Sequence, residues 1–377
     1  MAELDQTKPV RRRKIRYKGR GSQVLIYLGK QLRFFINESD WKVLPMAAII
    51  AGLVGMVLRN RLFVSMEGTL IGAFALTCTA IWNGCFNSIQ AVCRERAIIK
   101  REHRSGMHVS SYVAAHMIYQ LLLCVAQTIV CMYVLIVLNI EFPAQGFMTP
   151  WMVVDVGISM LLITYASDMM SLFISSISHT TTGAMTVMPF VLIFQLVFAG
   201  TIIPLPEWSK GLAQFTISNY GIHAIAAQSG YNELPMNTAW DLLAGMRDSE
   251  VGGDVTAGQI MDFLQTDKIS QLLSEETLGE TLTLKDVTDS LIASEQAQAM
   301  RGETFTVKLT VQDLFDMFGE ENMKTFIRQK TAEASRKAEF DRTVENIVDN
   351  WLMLGFFIFV FALLAMMSLE LIDKDKR

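Results

Sequence analysis

The sequence predicts an all-α polytopic membrane protein with six crossings, and three observations carry that prediction. Uncharged runs long enough to cross a bilayer of about 30 Å alternate with strongly charged segments, in a chain that is 51% hydrophobic with a mean hydropathy of +0.32. A block at 94–104 then places seven charged residues in eleven, between 26 uncharged residues at 68–93 and a run to Ile140 with no acid, Lys or Arg. At roughly 2.5–3.5 kcal/mol per charge at the bilayer centre, burying the block would cost about 20 kcal/mol. It must lie in water between two spans. Finally, the charge balance divides the chain: residues 8–42 carry eleven Lys/Arg against Glu38 and Asp40, while 236–350 carry eleven against 22 Asp/Glu.

Residues 1–21 are polar and basic and form a cytoplasmic arm, able to touch anionic lipid at on the order of 1 kcal/mol per base. Residues 22–42 switch to helical period, with Val24, Leu25, Leu28, Leu32, Phe35 and Ile36 three and four apart. This predicts an amphipathic helix on the inner membrane surface, with Trp41 and Lys42 as an anchor. Span one is 43–58 and span two 68–93. Thr77, Thr79, Asn83 and Asn87 of span two should face protein or a cavity, because hydrocarbon offers them no partner. Ser105-Gly106 breaks the helix after the charged block. Span three is 112–138, and span four starts at Trp151 and holds Asp155 and Asp168. These two carboxylates stand about 20 Å apart along a helix, which predicts interfacial placement near the span ends. Residues 169–206 are uncharged and too long for one crossing, so the polar break 175–183 divides them. Span five is 184–203, with a kink expected at Pro189.

Residues 204–235, opened by Pro204-Leu-Pro206, read as a re-entrant pair of outer helices. The acidic segment 236–350 reads as a mostly helical soluble domain. Thr256-x-x-Gln259 forms a capping box there, and Thr283-x-x-Asp286 and Thr310-x-x-Asp313 are looser versions. Only 304–309 alternates like a strand. Span six is 351–369, and a basic tail closes the chain at 377.

Six spans put both termini on one side. The arm, the 94–104 block and the tail hold 19 Lys/Arg, whereas the short loops opposite hold only Arg59 and Arg61. The rule that short basic loops stay inside makes the termini and the block cytoplasmic and 204–350 extracytoplasmic, in a multi-pass plasma-membrane protein. The first apolar run begins only at Val43, which predicts no signal peptide. All five cysteines fall in predicted spans, against a disulfide framework. No phosphate loop, H-E-x-x-H or G-x-S-x-G occurs, and the histidines show no ligand spacing. A non-enzymatic chain with no metal and no nucleic-acid partner is expected, driven by a partner or an ion gradient.

The order of features resembles the membrane domain of type II ABC exporters, in particular the G (white) subfamily and its bacterial relatives. Residues 23–40 resemble the family's connecting helix. Glu95-Arg96, Lys100-Arg101-Glu102, Gly106 and Ser111-Tyr112 resemble its coupling loop. Phe198-Ala-Gly200, 204–208, Ile217-Ser-Asn-Tyr220 and 224–228 resemble its outer re-entrant helices. The resemblance implies a dimer of two permease copies, alike or homologous, with separate ATPase subunits that carry ATP and Mg; no cofactor is expected on this chain. It implies ATPase coupling through Arg94, Glu95, Arg96, Lys100, Arg101, Glu102 and Gly106, and through Leu28, Leu32, Arg33 and Phe35 of the connecting helix. It also implies a substrate path between spans two and five, for which Asn83, Phe86, Asn87, Phe190 and Phe194 are the candidates. The insertion 236–350 is unexplained by the pattern and is a lid, a handoff site or a contact for an extracytoplasmic partner. The expected function is outward substrate movement. Its rivals are ATP-driven mechanotransmission to an outer partner and ion-coupled transport.

Overall fold

The computed structural model describes residues 19–37, 40–200, 205–247, 249–265 and 284–371. The basic arm, Glu38, Pro204, Thr283 and the charged tail fall outside these. The chain divides into two compact units, 1–235 with 332–377, and 236–331.

In the first unit α1 (Arg20–Asn37) and a 3-10 turn lead into α2 (Val43–Leu58), α3 (Met66–Ser88) and α4 (Ala91–Arg104). Then follow α5 (Val109–Val137), α6 (Met152–Ile177), α7 (Thr181–Val197), the single turn α8 (Lys210–Ala213) and α9 (Ile217–Gln228). Side-chain caps set several of these starts: Ser65, Thr180 and Thr216 each accept the backbone N–H three residues on. Pro189 lies inside α7 without ending it.

Among the described residues four helices are long and apolar enough to cross a membrane: α3 with α4, α5, α6 and the C-terminal helix. The other two apolar helices, α2 and α7, have 16 and 17 residues, about 24–26 Å of helix against a hydrocarbon core of about 30 Å. The six-span reading therefore meets four full-length helices and two short ones.

Their packing is inverted relative to a soluble protein. Met46, Ile49, Leu53 and Met56 of α2 are exposed at helical spacing, while Thr69, Thr77, Asn83, Ser88, Gln120 and Ser159 are buried. A solvent of hydrocarbon explains both: apolar side chains lose nothing by facing it, and polar ones must find partners inside. At the centre stands α6, packed on α3, α5 and α9.

The second unit is narrower than the 236–350 segment read from charge. It contains α10 (Thr238–Gly245), β1 (Glu250–Thr256), α11 (Ala257–Leu264), α12 (Leu284–Ile292), α13 (Glu295–Ala299), β2 (Thr304–Thr310), α14 (Val311–Phe318) and most of α15 (Glu320–Ala334). Trp240, Val311 and Phe315 make its core, with Leu243, Met323 and Ile327 against them. The mostly helical expectation holds with one addition: β1 and β2 pair antiparallel with Gly253 opposite Val307, β2 covering the run that alternates like a strand. The capping reading holds, since Thr256 and Gln259 bond reciprocally and Thr310 with Asp313 forms a full capping box.

That second box gives a pH prediction. The Thr310 hydroxyl, then the Thr310 backbone N–H, hold Asp313 below its ordinary 3.8. A lowered folded value means that the cap is present above the ordinary carboxylate range and is lost as pH falls below it. Amide exchange at 311–314, corrected for intrinsic rate, should accelerate as pH drops below about 4. Asp313→Asn should abolish that pH dependence.

After the second unit the chain returns to the first as α16 (Val344–Glu370), started seven residues before the predicted span and packed on α6 and α9. Trp351 Nε1 donates to Ser159 Oγ at 2.8 Å, and Ser159 Oγ donates to Gln228 Oε1 at 3.0 Å, pinning α16, α6 and α9 together.

Candidate coupling interface

Helical period sorts the charged block into faces. Glu95, Ile99 and Glu102 recur at four and three residues and turn inward, whereas Arg94, Ile98, Arg101 and Arg104 are exposed. The acids brace α1. Lys30 Nζ meets Glu95 Oε2 at 2.8 Å, with Glu95 only 8% exposed. Tyr27 OH donates to Glu102 Oε2 at 3.0 Å. Burial first, then the Glu102 charge and hydrogen bond, push the Tyr27 phenol up from its ordinary 10, so it remains a donor. The arginines are left facing outward, a basic stripe with Ile98 in its middle.

Both ends of α4 are fixed. Ser175 Oγ of α6 accepts from the Val92 and Cys93 backbone N–H groups at 3.1 and 3.2 Å. Arg96 Nη1 donates to the Ser176 and Ser178 carbonyls at 2.7 and 3.2 Å, satisfying the C-terminal end of α6. At the other end Gly106, at φ 102°, closes a Schellman turn in which Met107 N–H bonds to Glu102 O and Gly106 N–H to His103 O. The glycine is what the left-handed position requires.

The helix α1 runs parallel to the start of α5 with a constant offset. Gln23 Oε1 accepts from His108 N–H at 2.9 Å, Tyr27 meets the Tyr112 ring edge-on at 5.6 Å, and Gln31 Nε2 lies 3.0 Å from His116 Nε2. Gln23 Nε2 also donates to Gly106 O at 3.3 Å. This polar stripe of α1, and not its apolar one, faces the protein. Leu25, Leu32 and Ile36 are exposed. Among the connecting-helix candidates, Leu28 and Phe35 are half-buried and Leu32 and Arg33 exposed. The bonding residues Gln23, Tyr27 and Gln31 were absent from the sequence-derived site. Their spacing of four on the non-apolar face is the signal that could have found them. Of the remaining coupling candidates, Lys100 is half-buried.

The candidate path residues fall into two groups. Asn87 exchanges two hydrogen bonds with Gln127 of α5, at 2.8 and 3.0 Å, and Asn83 Nδ2 donates to Cys131 Sγ at 3.5 Å. Span two's asparagines thus knit α3 to α5. Phe86 and Phe190 are exposed, at 47% and 71%, and Phe194 packs its ring on Phe198 at 4.8 Å. A cavity of about 220 Å³ adjoins this region and the brace, lined by Gln31, Asn87, Arg94, Glu95, His116 and Gln120 among others.

Residues 32–228, just over half of the chain, match the family model of the ABC-2 type transporter membrane domain. The chain belongs to that family. The matched span runs from mid-α1 to the last residue of α9 and takes in α2 to α9, including all of α4, while the bracing residues Gln23, Tyr27, Lys30 and Gln31 of α1 lie just before it. An ABC-2 membrane domain is the type II permease component of an ABC transporter, a transmembrane part that typically carries no catalysis and generally works with an ABC ATPase. No curated protein matches this permease.

Proposed function

We propose that this ABC-2 permease couples ATP hydrolysis on a separate ATPase subunit, which holds ATP and Mg, to outward movement of a substrate. The resemblance to the G (white) subfamily supports two permease copies per complex. The carrying observation is the division of α4: its acids clamp α1 while Arg94, Ile98 and Arg101 face outward. An exposed stripe of arginines with one apolar residue suits docking of a soluble partner. Closure of the ATPase pair would push on this stripe. With α4 tied to α6 and α1 tied to α5, the push reaches the bundle as a rigid displacement. Six crossings, with α2 and α7 spanning a locally thinned bilayer and α8 and α9 re-entrant, keep the termini and α4 cytoplasmic and 204–350 outside. Phe86 would meet Phe190, with Phe194 a turn further along, across the two halves, as the subfamily's substrate path implies, while Asn83 and Asn87 hold α3 to α5 behind them.

Arg101→Glu tests this. Co-purification of the ATPase should fall at least about tenfold, the scale of one lost charge-assisted contact. The variant should stay monodisperse with an unchanged Tm, because Arg101 is exposed. Persistence of both association and export would sink the assignment. The self-contained core of 236–331 favours one second reading, mechanotransmission to an outer partner. ATP-dependent flux into proteoliposomes rejects it, whereas ATPase stimulation by an outer ligand without flux favours it.

A further inference from the structure

Helix α6 carries two carboxylates in opposite circumstances. Asp155, in the first turn, accepts three backbone N–H groups: Phe147 and Met148 on Oδ2 at 2.7 and 2.9 Å, and Thr149 on Oδ1 at 2.9 Å. That is a site built for an anion, at the helix end where the sequence reading put it. Asp168 corrects that reading. It lies nine residues before the end of α6, wholly buried.

Among the described residues its donors are weak. Cys124 Sγ stands 3.7 Å from Oδ2, the Ser88 hydroxyl lies beside the carboxyl, and Oδ1 has no partner. The ionisable groups facing it are Cys85 of α3, Cys124 of α5 and Tyr165 of α6, whose hydroxyl donates to Met117 O at 3.1 Å. Helices α2 and α7 and residues 351–369 of α16 contain no ionisable residue; on α9 His223 is turned to Glu339, 3.8 Å away, and Tyr220 packs on Phe357. Helix α4, at the far end of α6, turns Arg96 to the Ser176 and Ser178 carbonyls. Among the described residues no base pairs with Asp168. An ionised carboxylate in that setting carries a penalty of several kcal/mol that thiol and hydroxyl donors do not offset.

A polar line leads to it. On α5, His116, Gln120, Cys124 and Thr128 recur every four residues and are all buried. His116 and Gln120 line the 220 Å³ cavity beside α1 and α4. His116 Nδ1 and Gln120 Oε1 have no protein partner, the situation of groups that water occupies in a cavity of this size. Gln120 Nε2 donates to Ser88 Oγ at 2.8 Å, and Ser88 lies beside the Asp168 carboxyl.

We propose that Asp168 is a proton-binding site, neutral in this conformation and reached from the cavity through Gln120 and Ser88. A water of the cavity supplies the proton; one O–H bond forms on the carboxylate and the hydroxide left behind is neutralised in bulk. Separation of α3, α5 and α6 would let water in, ionise Asp168 and release one proton. A change of bundle conformation would then take up or release a proton, making its equilibrium depend on pH.

Isotope-edited infrared spectra of the full chain in lipid nanodiscs, with carbon-13 at the aspartate carboxyls, test this without any ATPase subunit. The outcome is therefore separate from that of the Arg101 test. One aspartate C=O band of the protonated acid should persist at pH 7 in the wild type and be absent from Asp168→Asn. Gln120→Leu should keep the band but slow its deuterium exchange at least about tenfold, a measurement that stands even if Asp168→Asn does not fold. Four results would each overturn the proposal: full ionisation of all aspartates at pH 7, survival of the band in Asp168→Asn, unchanged exchange in Gln120→Leu, or loss of the band on replacing choline with sodium or potassium. The last would mark a metal-cation site instead.

Discussion

Gly84→Ala should yield almost no folded protein. Helices α3 and α6 form the broadest helix–helix packing in the first unit, and at Gly84 their backbones leave no room for a side chain. A Cβ at that position would collide with the Thr164 carbonyl oxygen and the Ser167 hydroxyl and stand 3.0 Å from the Asp168 amide nitrogen. Two of those three atoms are backbone, so rotamer changes cannot relieve the contact. Ordinary overpacking costs about 1–3 kcal/mol. Here the helices must separate, and the buried Thr77, Ser88, Ser167 and Asp168 would lose the close packing that shields them. A loss beyond about 4–5 kcal/mol is expected, the range reserved for exceptional substitutions. Gly355→Ala is the control: its Cβ would meet nothing within 4 Å, and replacing a helical glycine should stabilise by roughly 0.5–1 kcal/mol. Size-exclusion profiles and thermal melts of the full chain decide the matter. A monodisperse Gly84→Ala variant melting with the wild type would show that α3 and α6 do not approach in this way.

The same interface marks how far the sequence could be read. Apolar run length located α3, α5, α6 and α16, the described helices long and apolar enough to cross, because a bilayer sets that length. Run length says nothing about which side faces in. Ser159, Thr164, Ser167 and Asp168 of α6 lie among apolar residues, and only the fold reveals that they line a buried helix surface. Asp168 was accordingly assigned to a span end that it does not occupy. In α1 the apolar spacing announced a helix correctly, but the protein-facing stripe is the polar one, since in this setting apolar residues are free to face lipid. The second unit repeats the lesson with strands. Alternation in 304–309 betrayed β2, whereas Glu250-Val-Gly-Gly-Asp-Val-Thr256 has two glycines and two acids. Its strand character comes from β2, 48 residues later at the start, a non-local pairing that no local pattern encodes.

Lys30→Met should cost about 3–5 kcal/mol, the penalty of stripping a buried carboxylate of its partner. Glu95 cannot escape by reorientation. Its side chain is 8% exposed and its helix is held at one end by Ser175 and at the other by the Gly106 turn. Lys30, at 24% exposed, can extend toward water when its partner is lost, so Glu95→Gln should cost less, about 1–3 kcal/mol. The double variant, with no charge left in the pair, should recover most of the loss of Lys30→Met, because an uncharged pair carries no desolvation penalty. At roughly 2–4 °C per kcal/mol for a unit of this size, Lys30→Met should lower Tm by about 10 °C. The double-mutant cycle should then give a coupling well above the 0.2–1 kcal/mol of exposed ion pairs. Set beside Arg101→Glu, this separates bracing from docking. Loss of the brace should lower Tm and ATPase association together, because α1 and α4 no longer form one surface, whereas loss of Arg101 should lower association alone. A Lys30→Met variant that melts within about 1 °C of wild type, less than a surface substitution can shift it, would show that the bridge holds nothing. The outward arginines would then be presented by the α6 contacts to Arg96, Val92 and Cys93 and by the Tyr27–Glu102 and Gln23–Gly106 hydrogen bonds.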